Sequence, residues 1–393
     1  MYAAAIRDSF STMTDPRTHQ PSGRSRGRGL GLPFPGETGP CNAITDVADV
    51  EVGYTTLIEG EGALEVGKGP VRTGVTAILP RGLKGPATPV WAAYFSMNGN
   101  GEMTGTHWID EAGFFDGPVC VTNTHSCGLV HHAVVGWMTR GDEDSASQYG
   151  WALPVIAETC DSHLNDMNGQ HVTEAHAVSA LASATGGPIA EGSVGGGTGM
   201  ICYEFKGGTG TASRIVEING TRYTIGALVQ ANHGIRPWFT VLGVPVGQHL
   251  TDDILWSQEQ GSIIAVVATD LPLLPNQLKR IAKRISIGIG RAGTPSGDNS
   301  GDIFLAFSTA NSDAFPPPRE TFDEADTSVR QLSFLPGEAL DPVFLATVEA
   351  IDEAVINAIL GSQTMVGRDD NRVAGLDHEA LRDVMRQYNR LQD

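Results

Sequence analysis

Apolar residues cluster into short runs along this chain, and the most continuous run is Ile263-Ile-Ala-Val-Val-Ala268. Six apolar positions in succession, four of them β-branched, predict a strand buried on both faces. Runs of the same kind predict strands over Val50–Thr56, Gly74–Leu79, Val90–Phe95, Val119–Thr122 and Asp302–Ser308. The segment IVEINGTRYTIGALV places two β-rich arms around Asn219-Gly220, the pair favoured in two-residue hairpin turns. Helical patterns cover His125–Met138 and Val172–Ala184. Another covers Pro275–Ile285, with proline in the first turn and basic residues later. Two further helices, Asp341–Leu360 and Asp377–Leu391, close the sequence on either side of a polar loop. Grouped strands, hairpins and helices together define an α+β layered fold.

The first forty residues depart from this pattern, ending in PSGRSRGRGLGLPFPGETGP. They read as a flexible leader, with GRSRGRG a solvated basic stretch. Nothing resembling an interdomain linker interrupts residues 42–361, which predicts one domain over residues 41–393. The net charge of -19 argues against a nucleic-acid partner, whose footprint is basic. No window reaches the length of an apolar membrane span, and the N-terminus lacks the apolar core of a secretory signal. The five cysteines are odd in number and scattered without a C-x-x-C pair. That spacing points to reduced thiols in a cytoplasmic protein, not to a disulfide framework or zinc ribbon.

Several motifs carry less than they suggest. Gly288-Ile-Gly-Arg-Ala-Gly293 matches G-x-G-x-x-G but follows a helix, so it reads as a glycine-rich turn. GSVGGGTG (Gly192–Gly199) lacks the Gly-Lys-Ser/Thr of a phosphate loop and reads as backbone close to a ligand or a neighbouring strand. Neither His131-His132 nor the pair His171 and His176 has the spacing of a metal-binding helix face, and no metal or organic cofactor is expected. The only G-x-S-x-G lies in the polar leader, away from any strand-turn-helix elbow. Ser-His-Asp chemistry therefore has no support. That leaves Gly261-Ser262, a small pair at the head of the most apolar strand, as either an ordinary turn or something chemical.

Ordered blocks of sequence favour the chemical reading. ALVQANHG (Ala227–Gly234), GSIIAVVATDLPLLPNQLKR (Gly261–Arg280) and SGDIFLAFSTAN (Ser300–Asn311) resemble the DmpA-type aminopeptidases. So do NGNGEMTG (Asn98–Gly105), TNTHS (Thr122–Ser126), LNDMNG (Leu164–Gly169) and GGGTGMICYEFKGGTGTASR (Gly195–Arg214). That family comprises the L-aminopeptidase D-amidase/D-esterases and the β-peptidyl aminopeptidases, and the likeness runs from about Asn42 to Asn311. It implies a four-layer αββα sandwich of the DmpA and ornithine acetyltransferase type. It also implies a precursor that cuts itself between Gly261 and Ser262, giving an α chain of residues 1–261 and a β chain of residues 262–393. Small peptides, amides or esters with a free amino terminus would be the substrates, and a tetramer of αβ units the assembly.

The resemblance also assigns roles. Ser262 becomes an N-terminal nucleophile whose own α-amine, with a reference pKa of about 7.7–8.0, serves as base in place of a histidine. Ser300 and Asp302 form its supporting pair, and their i, i+2 spacing places both on one face of a strand. Asn232 supplies an oxyanion amide, Glu158 receives the substrate ammonium, and Trp151 lines the pocket wall. One position departs from the pattern: Cys160 stands where the family has a tyrosine whose hydroxyl helps hold the oxyanion, and a thiol is a weak donor. Two other readings stay open on sequence grounds. One is acyl transfer of the ornithine acetyltransferase type, although those enzymes use threonine; the other is a paralogue that folds without cutting itself.

Overall fold

Ser262–Thr269 forms a strand that is buried along its whole length, as its six-residue apolar run requires. In the computed structural model, which describes residues 14–85, 88–139, 152–315 and 327–392, this strand lies inside a six-stranded sheet. In chain order the first strands are β1 (Glu51–Glu59), β2 (Val71–Leu79), β3 (Val90–Ser96), β4 (Phe114–Phe115), β5 (Val119–Asn123) and β6 (Val155–Thr159). A short hairpin of β7 (Ile201–Cys202) and β8 (Phe205–Lys206) follows. Then come β9 (Gly208–Ile218), β10 (Thr221–Asn232), β11 (Ser262–Thr269) and β12 (Ile303–Ser308). One sheet has the order β1-β2-β5-β6 and the other β4-β3-β12-β11-β10-β9.

Side-chain alternation divides β11 between two cores. Ile264, Val266 and Ala268 face the first sheet, among Val52, Ile78, Val121 and Ala157. Ile263, Ala265 and Val267 face the helices α5 (Pro275–Arg291) and α6 (Asp341–Leu360). On the outer side of the four-stranded sheet, α2 (Cys127–Thr139) and α3 (Glu174–Ala182) complete a third core with Val75, Ala77 and Ile156. The result is four layers, helix-sheet-sheet-helix, as the resemblance implied. The hairpin at Asn219-Gly220 is present as predicted, with both turn residues at positive φ between β9 and β10.

Three readings of the sequence need correction. Residues 14–40 are not a mobile leader: Leu30, Leu32 and Phe34 join the helix-side core. The arginines of the basic stretch are spent on buried partners rather than on solvent. Arg26 Nε lies 2.8 Å from Glu191 Oε2, both nearly inaccessible, and Arg28 Nε lies 2.9 Å from Glu353 Oε1. An alternating Arg-Gly pattern resembles a linker because burial of arginine depends on distant carboxylates that local composition cannot show. The G-x-G-x-x-G segment is likewise not a turn over its first four positions: Gly288–Arg291 continue α5, and a Cβ on Gly288 would meet Ile351 of α6 at 2.6 Å. Finally, β12 begins at Ile303, so Ser300 and Asp302 lie in the approach to the strand instead of on its face.

Candidate active site

Strand register assembles the site. β10 and β11 run antiparallel with Asn232 directly opposite Ser262. β11 and β12 run parallel with Ile264 beside Ile303, the crossover being made by α5. Extending that register backwards by two residues brings Ser262 alongside Gly301, and the Gly301 N–H donates to Ser262 Oγ at 2.8 Å. Asn232 and the loop holding Ser300 and Asp302 thus reach Ser262 from its two neighbouring strands.

Asp302 sits beside the new N-terminus that cleavage would create. Its Oδ1 accepts the Ile263 N–H at 3.1 Å, while Oδ2 lies 3.0 Å from Ser300 Oγ and also accepts the Ser296 hydroxyl. Burial raises the Asp302 carboxyl above its ordinary pKa, against the hydrogen bonds from Ser296 and Ser300. Asn98 Nδ2 reaches Ser300 Oγ at 2.8 Å and the Gly297 carbonyl at 2.8 Å. Ser296 holds a left-handed φ of 65°, an uncommon conformation for a residue with a side chain. The sequence reading named neither Ser296 nor Gly301. Asn98 lay within the block NGNGEMTG, which was the available signal.

Asn232 is fixed at both ends of its amide. Oδ1 accepts the Ile201 N–H at 2.8 Å, and Nδ2 donates to the Cys160 carbonyl at 3.0 Å. Gly261 is pressed against this residue with φ +113°, where side chains are strained. A Cβ there would lie 1.9 Å from the Asn232 carbonyl oxygen and 3.1 Å from Asn232 Nδ2. Only glycine fits, and the position it occupies is beside the amide assigned to the oxyanion.

A cavity of about 310 Å³ opens from Gly261 and Ser262 towards Glu158, Thr124, Glu102, Asn100 and Cys160. Glu158 is the penultimate residue of β6 and is 4% exposed. Its Oε1 accepts the Glu102 N–H at 2.9 Å and its Oε2 accepts the Thr124 hydroxyl. Burial raises its pKa, with those two hydrogen bonds opposing the shift. Cys160 is exposed, its Sγ 3.1 Å from Ser162 Oγ, and its hydrogen bond with Asn232 runs through its backbone carbonyl. Trp151 lies outside the described residues. No cluster of three or more metal-ligating side chains occurs among the described residues.

A glycine-serine pair at the head of a strand in an αββα sandwich, with an amide and a buried carboxylate beside it, fits the N-terminal nucleophile hydrolases that the resemblance implies. Comparison with known proteins gives the particular family. Residues 42–373 match Peptidase family S58, which extends the likeness beyond Asn311. A β-peptidyl aminopeptidase from Sphingosinicella microcystinivorans is 49% identical over 93% of each chain, and one from Sphingosinicella xenopeptidilytica is 44% identical over 92% of this chain and 91% of that one. The solved L-aminopeptidase D-Ala-esterase/amidase of Ochrobactrum anthropi, described as a prototype of the serine aminopeptidases with a variant Ntn hydrolase fold, superposes with a TM-score of 0.84 at 53% identity. That superposition covers 93% of this chain and 99% of that one. The chain belongs to peptidase family S58 and is a serine aminopeptidase and hydrolase of the N-terminal nucleophile type.

Proposed function

We propose that the precursor cuts itself between Gly261 and Ser262 and then releases small amino-terminal residues, α or β, from short peptides, amides and esters. Self-cleavage follows from the groups around the bond. Ser262 Oγ attacks the Gly261 carbonyl carbon, the C–N bond breaks, and the hydroxyl proton passes to the departing nitrogen. Water then hydrolyses the resulting ester, leaving a Gly261 carboxylate and a free Ser262 amine and hydroxyl. The observation that carries this reading is the close fit of Gly261 against Asn232, directly beside a serine held by the Gly301 amide.

In the cut enzyme the Ser262 amine is the base for its own hydroxyl, and Asp302 with Ser300 orients that amine. The substrate acyl group passes to Ser262 Oγ while its leaving amine takes the proton; water returns the serine. Asn232 donates to the developing oxyanion. Glu158 pairs with the substrate ammonium at the far side of the cavity, and a blocked amino terminus would leave this buried carboxylate unpaired. A cavity of about 310 Å³ lies at the small end of ligand pockets, which supports short substrates. The two Sphingosinicella relatives are β-peptidyl aminopeptidases, which supports acceptance of β-amino acids. Trp151 is assigned the pocket wall.

The tetramer of αβ units and a cytoplasmic location belong to the same proposal. For the latter, five cysteines free of disulfides are the supporting observation. Release of nitroaniline from the p-nitroanilides of L-alanine and β-alanine, set against their N-acetyl forms, tests the activity. Turnover of the free-amine compounds alone is expected; equal turnover of the blocked ones contradicts the role of Glu158.

A further inference from the structure

Between Ser257 and Gln260 the chain runs exposed, except at one residue: Glu259 is 8% exposed. Its carboxylate gathers three donors. Oε1 accepts the Gly234 N–H at 2.9 Å and the Thr294 hydroxyl at 2.8 Å, and Oε2 accepts the Gly297 N–H at 2.7 Å. Gly234 lies two residues beyond Asn232. Thr294 Oγ1 also accepts the Ser296 N–H at 3.0 Å, and the Gly297 carbonyl is bound by Asn98 and Ser300. A single side chain therefore ties the segment leading to Gly261 both to the end of β10 and to the loop that carries Ser296, Ser300 and Asp302.

Its place relative to the bond is notable chemically. Glu259 is two residues before Gly261, on the α-chain side, while Thr294 and Gly297 are on the β-chain side. Gly261 is held at a left-handed φ against Asn232, and the preceding residues 251–254 are exposed. A tether two residues upstream fixes the approach of the carbonyl to the hydroxyl, and a geometric gain of this kind appears in the rate of an intramolecular reaction. We propose that Glu259 is a positioning residue for self-cleavage, holding the Gly261 carbonyl in line with Ser262 through Gly234, Thr294 and Gly297. The inference rests on the proposed cut at Gly261-Ser262.

The test follows conversion of the full-length chain, pulse-labelled in cell-free translation, into its two fragments. Glu259→Gln turns one accepting oxygen into a donor facing donors, and the rate constant for cutting is expected to fall at least tenfold while conversion still goes to completion. Thr294→Val, which removes one donor, is expected to slow cutting several-fold, and Thr294→Ser, which keeps it, to stay within about twofold of wild type. A merely structural role gives a different signature: a smaller fraction of chains cut at the wild-type rate constant, the remainder unfolded by circular dichroism. That outcome, or an unchanged rate in E259Q, overturns the inference. If E259Q does not fold, the Thr294 pair decides: equal rates for Val and Ser overturn it. A wild-type chain that stays whole contradicts the proposed function itself, whereas a wild-type chain that cuts beside an equally fast E259Q sinks only the role of Glu259.

Discussion

In the proposed reaction Ser262 carries the chemistry because it stands where three strands bring different groups together, and the consequences expected from changing single side chains follow from those contacts. Asn232→Ala removes the amide beside Gly261, and kcat on alanine p-nitroanilide should drop by about 10²–10³, the usual cost of one oxyanion donor. Glu158 binds an ammonium only as the carboxylate, so kcat/KM must fall as pH drops through its pKa. Burial raises that pKa, so this loss begins above a carboxylate's ordinary value and adds to the fall caused by protonation of the Ser262 amine, the proposed base. In Glu158→Gln the part of the acidic limb that Glu158 causes should vanish, together with the preference for free amino termini, leaving the part that belongs to the amine; a limb unchanged in the variant would mean that Glu158 does not contribute to it. Ser262, Asn232, Glu158, Ser300 and Asp302 could be singled out in the sequence only through the family resemblance. A lone serine behind a glycine is indistinguishable from a turn. Ser296 left no signal, since a strained loop hydroxyl leaves no mark on residue type; Gly301 lay inside the block SGDIFLAFSTAN, but it acts through a backbone N–H that residue type does not show. Cys160 in place of a tyrosine contributes its carbonyl to Asn232, a role that is independent of the side chain.

At the level of elements, apolar runs and the Asn-Gly turn were enough to place the long buried strands, but β6 (Val155–Thr159), which carries Glu158, and the two-residue strands β4, β7 and β8 went unpredicted because their apolar runs are short. Register is another matter. That Asn232 faces Ser262 and that residue 262 aligns with 301 depends on pairings across 30 to 40 positions of chain, which no local pattern encodes. Glycines record part of that long-range packing. A Cβ on Gly210 of β9 would meet the Ala354 carbonyl of α6 at 2.0 Å, so the helix lies directly on the strand backbone. Gly210→Ala should therefore force the layers apart and destabilise the fold by about 1–3 kcal/mol, the range for overpacking a core. Urea titration of the variant checks this; an unchanged midpoint would show that α6 shifts freely.

Across the whole molecule, the largest error of sequence reasoning was the N-terminal segment. Composition alone made residues 1–40 a flexible leader; residues 1–13 lie outside the described residues, but 14–40 supply Leu30, Leu32 and Phe34 to the core and two arginines to buried carboxylates. Arg26→Ala leaves Glu191 charged and unpaired among buried groups, and a loss of about 3–5 kcal/mol is expected, with a matching fall in the thermal midpoint. A variant beginning at residue 42, where the family match begins, should not reach the native fold for the same reason; a truncated chain that melts like the full one would restore the tail reading.

The whole account turns on one covalent event, the break that converts a buried strand end into an amino terminus. Intact mass and N-terminal sequencing of the purified protein test it most directly. Two fragments are predicted, residues 1–261 and 262–393, the smaller beginning at Ser262, and a single uncut chain in Ser262→Ala. One intact chain from the wild type, or a cut at any other bond, would contradict it.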